Sequence, residues 1–285
     1  MKLDKNKKIL IVGLGLIGGS YAMALKRQGY YVSAITKDQQ SIDYALKNNL
    51  IDCGAAFVDA DIIGQADITV FALYPHVFLS WIEENQHLLK SGSIITDVTG
   101  VKTCIVGKIQ SMLRTDVEFI PAHPMAGKEV SGVENSDDAI FRQANYIVTP
   151  TDKNTSEAIE LCRNLGESLG FAKISVLSPE KHDEIIGFVS QLTHCIAISL
   201  MTCQRTDHLE DYTGDSFRDL TRIARLNDEM WSELFLNNKD ALVYQMSLFE
   251  TELAKMRMLL ATNDREGIRE MMRNSTARRA LFDKK

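Results

Sequence analysis

Proline and cysteine are scarce in this chain: among 285 residues there are 5 of each, beside 17 glycines. With 45% hydrophobic and 25% charged residues, so little proline and glycine excludes a disordered or fibrous polypeptide. The cysteines (Cys53, Cys104, Cys162, Cys195, Cys203) are odd in number and scattered. None forms a Cys-x-x-Cys pair, so neither a disulfide framework nor a zinc site is indicated, and a reducing cytoplasm fits best. No block rich in lysine or arginine is present, and the net charge is −6. That balance argues against nucleic-acid and anionic-membrane partners, whose phosphates need a basic face. No apolar run approaches the ~18 residues needed to span a bilayer, and there is neither an internal repeat nor a low-complexity segment. What remains is a folded chain with length for one large domain or two modest ones.

The N-terminus has two readings. Met1–Lys8 is basic, Ile9–Ile17 is apolar and Ala22-Met23-Ala24 resembles a signal-peptidase site. The alternative is a buried strand over 8–12 running into a glycine loop and a helix. Gly13, Gly15, Gly18 and Gly19 crowd the stretch where a signal peptide wants helix formers, and a second strand-like run, Tyr31–Ile35, follows at βαβ distance. The strand reading is preferred.

Short apolar runs then alternate with helical patterns. Strands are expected at Ile9–Val12, Tyr31–Ile35, Ile68–Ala72, Ser93–Asp97, Glu118–Pro121, Tyr146–Thr149 and Ala172–Val176. Helices are expected at Gly18–Gln28, Gln39–Asn48, Val77–Leu89, Lys102–Met112 and Ser156–Leu169. This alternation implies a largely parallel sheet covered on both faces. Past Ser178-Pro179-Glu180, which reads as a capped helix start, only helical patterns follow, including Ile185–Met201, Met230–Lys255 and Arg265–Arg279. The expected division is therefore an α/β domain over 1–176 and an all-α domain over 177–285. The helical half, rich in Leu and Met, can cover its apolar stripes against itself or a twin chain, and symmetric dimers are the commonest assembly.

Gly13-Leu14-Gly15-Leu16-Ile17-Gly18 follows a strand and opens a helix, the context in which this motif marks a dinucleotide site of Rossmann type. Its first glycine permits the tight turn, its second lets the backbone approach a pyrophosphate, and its third allows close packing of helix on strand. An NAD site usually carries Asp or Glu at the end of the second strand. Thr36 and Lys37 stand there instead, with Asp38 slightly late, and a hydroxyl beside a cation suits a 2′-phosphate. The expectation is NAD(P), with NADP favoured over NAD. His123-Pro124-Met125-Ala126-Gly127 follows the strand ending at Pro121, which puts His123 just past a strand end, where α/β sheets bind ligands.

Taken together, the glycine loop, Asp97-x-x-x-x-Lys102, His123-Pro124-Met125-Ala126-Gly127-x-Glu129, Ser190-x-Leu192-x-His194, Phe217-Arg218-Asp219-x-Thr221-Arg222-Ile223-Ala224 and Met230-Trp231 resemble the prephenate and arogenate dehydrogenases of tyrosine biosynthesis, in order and over nearly the whole chain. The resemblance implies a Rossmann-type nucleotide-binding domain followed by an all-α dimerisation domain, and a homodimer formed through it. Because the sequence stops with the helical region, no fused mutase or regulatory domain is expected. The implied reaction is hydride transfer from C4 of a cyclohexadienol to the nicotinamide, with loss of the hydroxyl proton and of the ring carboxylate as carbon dioxide. Aromatisation drives the step, so the protein mainly orients the ring and takes a proton. By resemblance, His123 is the proton acceptor and Arg222 grips the ring carboxylate. His194, Ser190 and Gln191 line the substrate pocket, and Glu129, Asp219 and Trp231 gate or support it. An imidazole suits the base by its pKa, and a guanidinium suits the carboxylate by its fork.

Two positions depart from the family pattern. Gly100 stands where a serine often supports the histidine, so Thr99, a backbone N–H or water is expected to supply that contact. Gln191 stands where a second histidine is common. Prephenate is the expected substrate and arogenate the alternative. A β-hydroxyacid dehydrogenase and a non-catalytic dinucleotide sensor are remoter. The first needs a catalytic lysine on the helix that here carries Ser190 and His194, and the second needs neither His123 nor Arg222.

Overall fold

The computed structural model describes residues 3–282. The stretch Lys-Ile-Leu-Ile-Val forms β1 (Lys8–Val12) as the inner strand of a six-stranded sheet, buried from Ile9 onward. An apolar run without polar alternation is what a parallel strand covered on both faces requires. The other strands are β2 (Tyr31–Ile35), β3 (Cys53–Ala55), β4 (Ile68–Phe71), β5 (Ile94–Asp97) and β6 (Glu118–Phe119), in the order β3-β2-β1-β4-β5-β6, all parallel. Side chains alternate across β1. Ile9 and Ile11 enter the core with α1 (Leu16–Arg27), α2 (Gln39–Lys47) and α6 (Ser156–Leu169), while Leu10 and Val12 enter the core with α3 (Ala60–Gln65), α4 (Pro75–Asn85) and α5 (Thr103–Met112). The N-terminal strand reading holds, with Ala22 and Ala24 buried on α1.

A second sheet was not expected. The chain leaves the first sheet after Phe119, and Ala122–Pro124 forms β7, antiparallel to β8 (Asn145–Val148), which is parallel to β9 (Lys173–Val176). Pro121 cannot donate to a ladder, and the amide of Ala122 donates instead to Asp97 Oδ1 at 3.0 Å. His123 therefore lies within a strand, opposite Ile147, and not in a loop beyond one.

Ser178 caps α7 (Pro179–Ile186) by accepting the Lys181 amide at 3.2 Å, with Pro179 in the first turn. A π-helical turn, Gly187–Leu192, continues into α8 (Thr193–Thr202). By length and composition the run Pro179–Thr202 is apolar enough to cross a bilayer, which corrects the sequence expectation. His182, Asp183 and Gln191, buried within it, are hydrogen-bonded to other elements of the protein. Next come α9 (Asp215–Thr221), a 3₁₀ turn at Arg222–Ala224 and α10 (Asp228–Asn237), completing a compact unit that reaches Asn238. From Lys239 a second unit consists of α11 (Lys239–Ala261) and α12 (Arg265–Arg279), the latter capped by Asp264. The single helix expected over Met230–Lys255 is thus two, broken at Asn238.

Candidate active site

The glycine loop has the form of an anion cradle. Gly13 sits at φ +99°, and a Cβ there would collide with the Ala72 carbonyl; at Gly18 it would collide with the Gly13 carbonyl. Gly15 has nothing within 4 Å on that side, so the backbone is open where a pyrophosphate approaches the N-terminus of α1. Leu14 and Leu16 point into the protein and Ile17 is partly buried. No acidic residue stands in the first turn of α1. At the end of β2, Lys37 is exposed and Thr36 donates its amide to Ala55. Asp38 caps α2, accepting from the Gln40 amide at 3.1 Å, the Ser41 amide at 3.0 Å and the Ser41 hydroxyl at 2.6 Å. These bonds, the Ser41 hydroxyl foremost, hold its carboxyl below the usual range.

Beyond the cradle, the Asp97-x-x-x-x-Lys102 motif proves to be a clamp on the strand that bears His123. Asp97 and Lys102 are both fully buried and pair at 2.6 Å. Asp97 takes the amide of Ala122, and Lys102 Nζ donates to the carbonyl of Ala122 at 2.5 Å. Both backbone groups of the residue before His123 are thereby fixed by one ion pair. Burial lowers the Lys102 pKa, against the pull of Asp97. Thr99 belongs to this clamp. Its hydroxyl shares its one proton between Asp97 and the Val101 carbonyl and accepts from Lys102 at 3.2 Å. The contact that Thr99 was expected to lend His123 is made by another residue. Nor does Gly100 lack a side chain for want of room, since a Cβ there would meet Leu234 at 3.6 Å and His123 Cε1 at 3.8 Å, ordinary contact distances.

His123 Nδ1 lies 2.9 Å from Nε2 of His182, whose Nδ1 lies 2.7 Å from Asp183 Oδ1. Asp183 also takes the amides of Lys102 at 2.9 Å and Thr103 at 2.8 Å, satisfying the N-terminus of α5. Burial works against its charge, but the bonds from His182 and Thr103 outweigh it and lower its pKa. His123 is partly accessible, and burial, then His182 and Lys102, push its pKa well below the usual imidazole value. Burial also lowers that of His182, against Asp183. Asn238 Nδ2 donates to the Asp183 carbonyl at 2.9 Å and to Gln191 Oε1 at 2.7 Å, while Gln191 donates to the Leu234 carbonyl at 2.9 Å. His182, Asp183 and Asn238 were missed from sequence. A His-Asp pair four residues into a capped helix was visible, but no periodicity links it to a histidine 59 positions earlier.

The π turn sets the phase of this helix. It amounts to one extra residue, so the twelve-residue step from His182 to His194, ~120° out of phase in a continuous α-helix, closes to within about 20°. His194 Nδ1 donates to the Ser190 carbonyl at 3.0 Å and its ring stacks on Trp231 at 3.7 Å. Burial lowers its pKa, with Glu129 and Arg222 acting on it in opposite directions. Arg222, in the 3₁₀ turn after α9, pairs with Glu129, and both are well exposed. Asp219 is exposed on α9. One face of α10 joins the two ends. Trp231 covers His194, and Leu234, one turn on, lies beside Gly100, whose Cβ position His123 also neighbours. The structure thus gathers His123, His182, Asp183, Lys102 and Gln191 at one end and Arg222, Glu129 and His194 at the other.

Comparison with known proteins covers the same span. The model of the prephenate dehydrogenase nucleotide-binding domain matches residues 21–176, and that of the prephenate dehydrogenase dimerization domain matches 178–274. The chain is 32% identical to a prephenate dehydrogenase of Bacillus subtilis over 273 residues, covering 91% of this chain and 72% of that protein. It superposes with a TM-score of 0.89 and 29% identity on a prephenate dehydrogenase from A. aeolicus in complex with hydroxyphenyl propionate and NAD+, covering 97% of this chain and 98% of that one. A Synechocystis arogenate dehydrogenase follows at TM-score 0.83 and 26% identity, over 96% of this chain and 99% of that one.

Proposed function

Because this chain belongs to the prephenate dehydrogenase family, we propose that it oxidatively decarboxylates prephenate to 4-hydroxyphenylpyruvate. The observation that carries the reading is His123, held by a buried clamp, kept neutral and, among the described residues, with no hydrogen-bond partner for Nε2. A bound NAD(P) supplies the hydride acceptor. The chain's residues do the rest. Nε2 of His123 takes the 4-hydroxyl proton as that O–H bond breaks, and the electrons left on oxygen form the carbonyl-like bond as hydride leaves C4. The bond from the ring to its carboxylate then breaks, its electron pair completing the aromatic ring and leaving a phenolate oxygen, to which His123 Nε2 returns the proton as carbon dioxide departs. Arg222 holds that carboxylate by exchanging Glu129 for it, and His194, Ser190 and Gln191 wall the pocket. Asp219 and Trp231 support this end, and Thr99 serves through the clamp. Arogenate is the second reading, favoured by the likeness to an arogenate dehydrogenase.

NAD(P) is held by Gly13, Leu14, Gly15, Leu16, Ile17 and Gly18. NADP is the preferred form, since Asp38 is committed to its helix cap and leaves Thr36 and Lys37 to face the ribose. The functional division lies at 176/177. A homodimer forms through the helical half, where Val243, Tyr244, Leu248, Phe249 and Leu253 of α11 are exposed. A cytoplasmic location accords with the scattered thiols. Assays of prephenate and arogenate, each with NAD and with NADP, test the activity. Reduction of the cofactor with prephenate is expected, and no reduction in any of the four mixtures defeats the reading. A markedly lower KM for NAD than for NADP refutes the cofactor preference.

A further inference from the structure

We propose that His182, anchored by Asp183, is a positioning residue that fixes the ring tautomer of His123, so that Nε2 is the one nitrogen His123 can offer to the substrate hydroxyl. The inference rests on the reading of His123 as the base and extends it to two residues outside the sequence motifs.

The assignment follows from which atoms can donate. Asp183 is an ionised carboxylate that already accepts two backbone amides, and a carboxylate has no proton to give. Its 2.7 Å contact with His182 Nδ1 therefore requires a proton on Nδ1. His182 is fully buried and close to Lys102, so it is neutral, and its Nε2 carries a lone pair. The 2.9 Å contact between that nitrogen and His123 Nδ1 then requires that His123 donate. With its single proton on Nδ1, neutral His123 has its lone pair on Nε2. Reversing either tautomer sets two N–H groups or two lone pairs face to face. The groups facing this pair are Asp183 on α7, Lys102 at the start of α5 with its partner Asp97 at the end of β5, and Gln191 through Asn238. Only Asp183 can direct the chain of donors.

The same geometry serves the charged state. When Nε2 gains a proton, the Nδ1–H of the imidazolium still points at the His182 lone pair, with the Asp183 carboxylate one ring behind it. The arrangement is that of an aspartate supporting a catalytic histidine, with a second imidazole interposed. The rings stand edge to face, 5.1 Å apart at 65°, so the bond also fixes the plane of His123.

Two variants and one spectrum test this in the full-length protein. His182→Leu is expected to lower kcat by ~10²–10³, with KM changed less than about threefold, since a misdirected tautomer in a comparable site costs up to ~10⁴. His182→Gln, whose Oε1 can accept the Nδ1 proton, is expected to recover at least about tenfold of that loss. If His182 only fills space, Leu, the better occupant of a dry site, equals or exceeds Gln in kcat, and the proposal fails. Long-range ¹H–¹⁵N spectra of the wild-type imidazoles need neither substrate nor variant. They are expected to show His123 and His182 both protonated at Nδ1 at neutral pH. A proton on Nε2 of His123 overturns the proposal, whichever substrate the enzyme uses.

Discussion

The two ends of the site are built on opposite principles. At the His123 end, proposed to accept the proton, Asp97 and Lys102 are fully buried, and the imidazole of His123 is held through the neighbouring Ala122 and through His182. At the Arg222 end, proposed to bind the ring carboxylate, the Arg222 side chain is 64% exposed and its partner Glu129 40% exposed, a pairing that costs little to exchange. The difference fits the role proposed for each end. A base has to meet one proton at one angle, and rigidity serves it. A guanidinium that admits and releases a carboxylate needs a partner it can give up.

That contrast can be broken in several ways. His123→Asn is expected to lower kcat by ~10²–10⁴ with a smaller effect on KM, because it removes the base and leaves the pocket. Steady-state kinetics that show an unchanged kcat take His123 out of the mechanism. Lys102→Met strands Asp97 as an unpaired buried charge and is expected to destabilise the protein by about 3–5 kcal/mol. Urea unfolding that finds the variant as stable as wild type denies the clamp its role. Arg222→Ala should act chiefly on KM, raising it ~10- to 100-fold through loss of a charge-assisted bond worth about 1.5–3 kcal/mol. An unaltered KM places Arg222 outside the pocket, and loss of folding stability comparable to that of Lys102→Met erases the contrast between the ends.

The smallest effect concerns pH. Burial lowers the pKa of both His123 and His182 in the folded protein. The unfolded chain therefore binds these protons first, so stability is complete above the ordinary imidazole value of ~6.5 and declines as pH falls from there toward the lowered folded values. The acid limb of kcat/KM, which reports the free enzyme, should likewise lie below pH ~6.5. Melting temperatures and rates over that range check both, and a rise in stability on acidification contradicts the neutral burial of the pair.

Much of this was legible in the sequence. β2, α6 and α12 fall at the residues their periodicity marked, because each is a simple element with its stop signal in place. β3 was missed because Cys53-Gly54-Ala55 offers neither length nor β-branching. β7 was missed because a three-residue strand after Pro121 owes its place to the Asp97–Lys102 pair rather than to propensity. The π turn has no hydrophobic signature of its own. Asp97, Lys102, His123 and Arg222 stood out as motif residues, yet Lys102 and Asp97 turn out to grip the backbone beside His123. His182 and Asp183 reach the site only through tertiary packing, which local pattern cannot report.

The most direct measurement is a crystal structure of the His123→Asn variant, slow enough to retain substrate, with prephenate and the oxidised cofactor. The expected result has the 4-hydroxyl within hydrogen-bond distance of residue 123 and the ring carboxylate on both arms of the Arg222 guanidinium. A ring bound the other way round, or bound where it touches only one of these residues, contradicts the assignment.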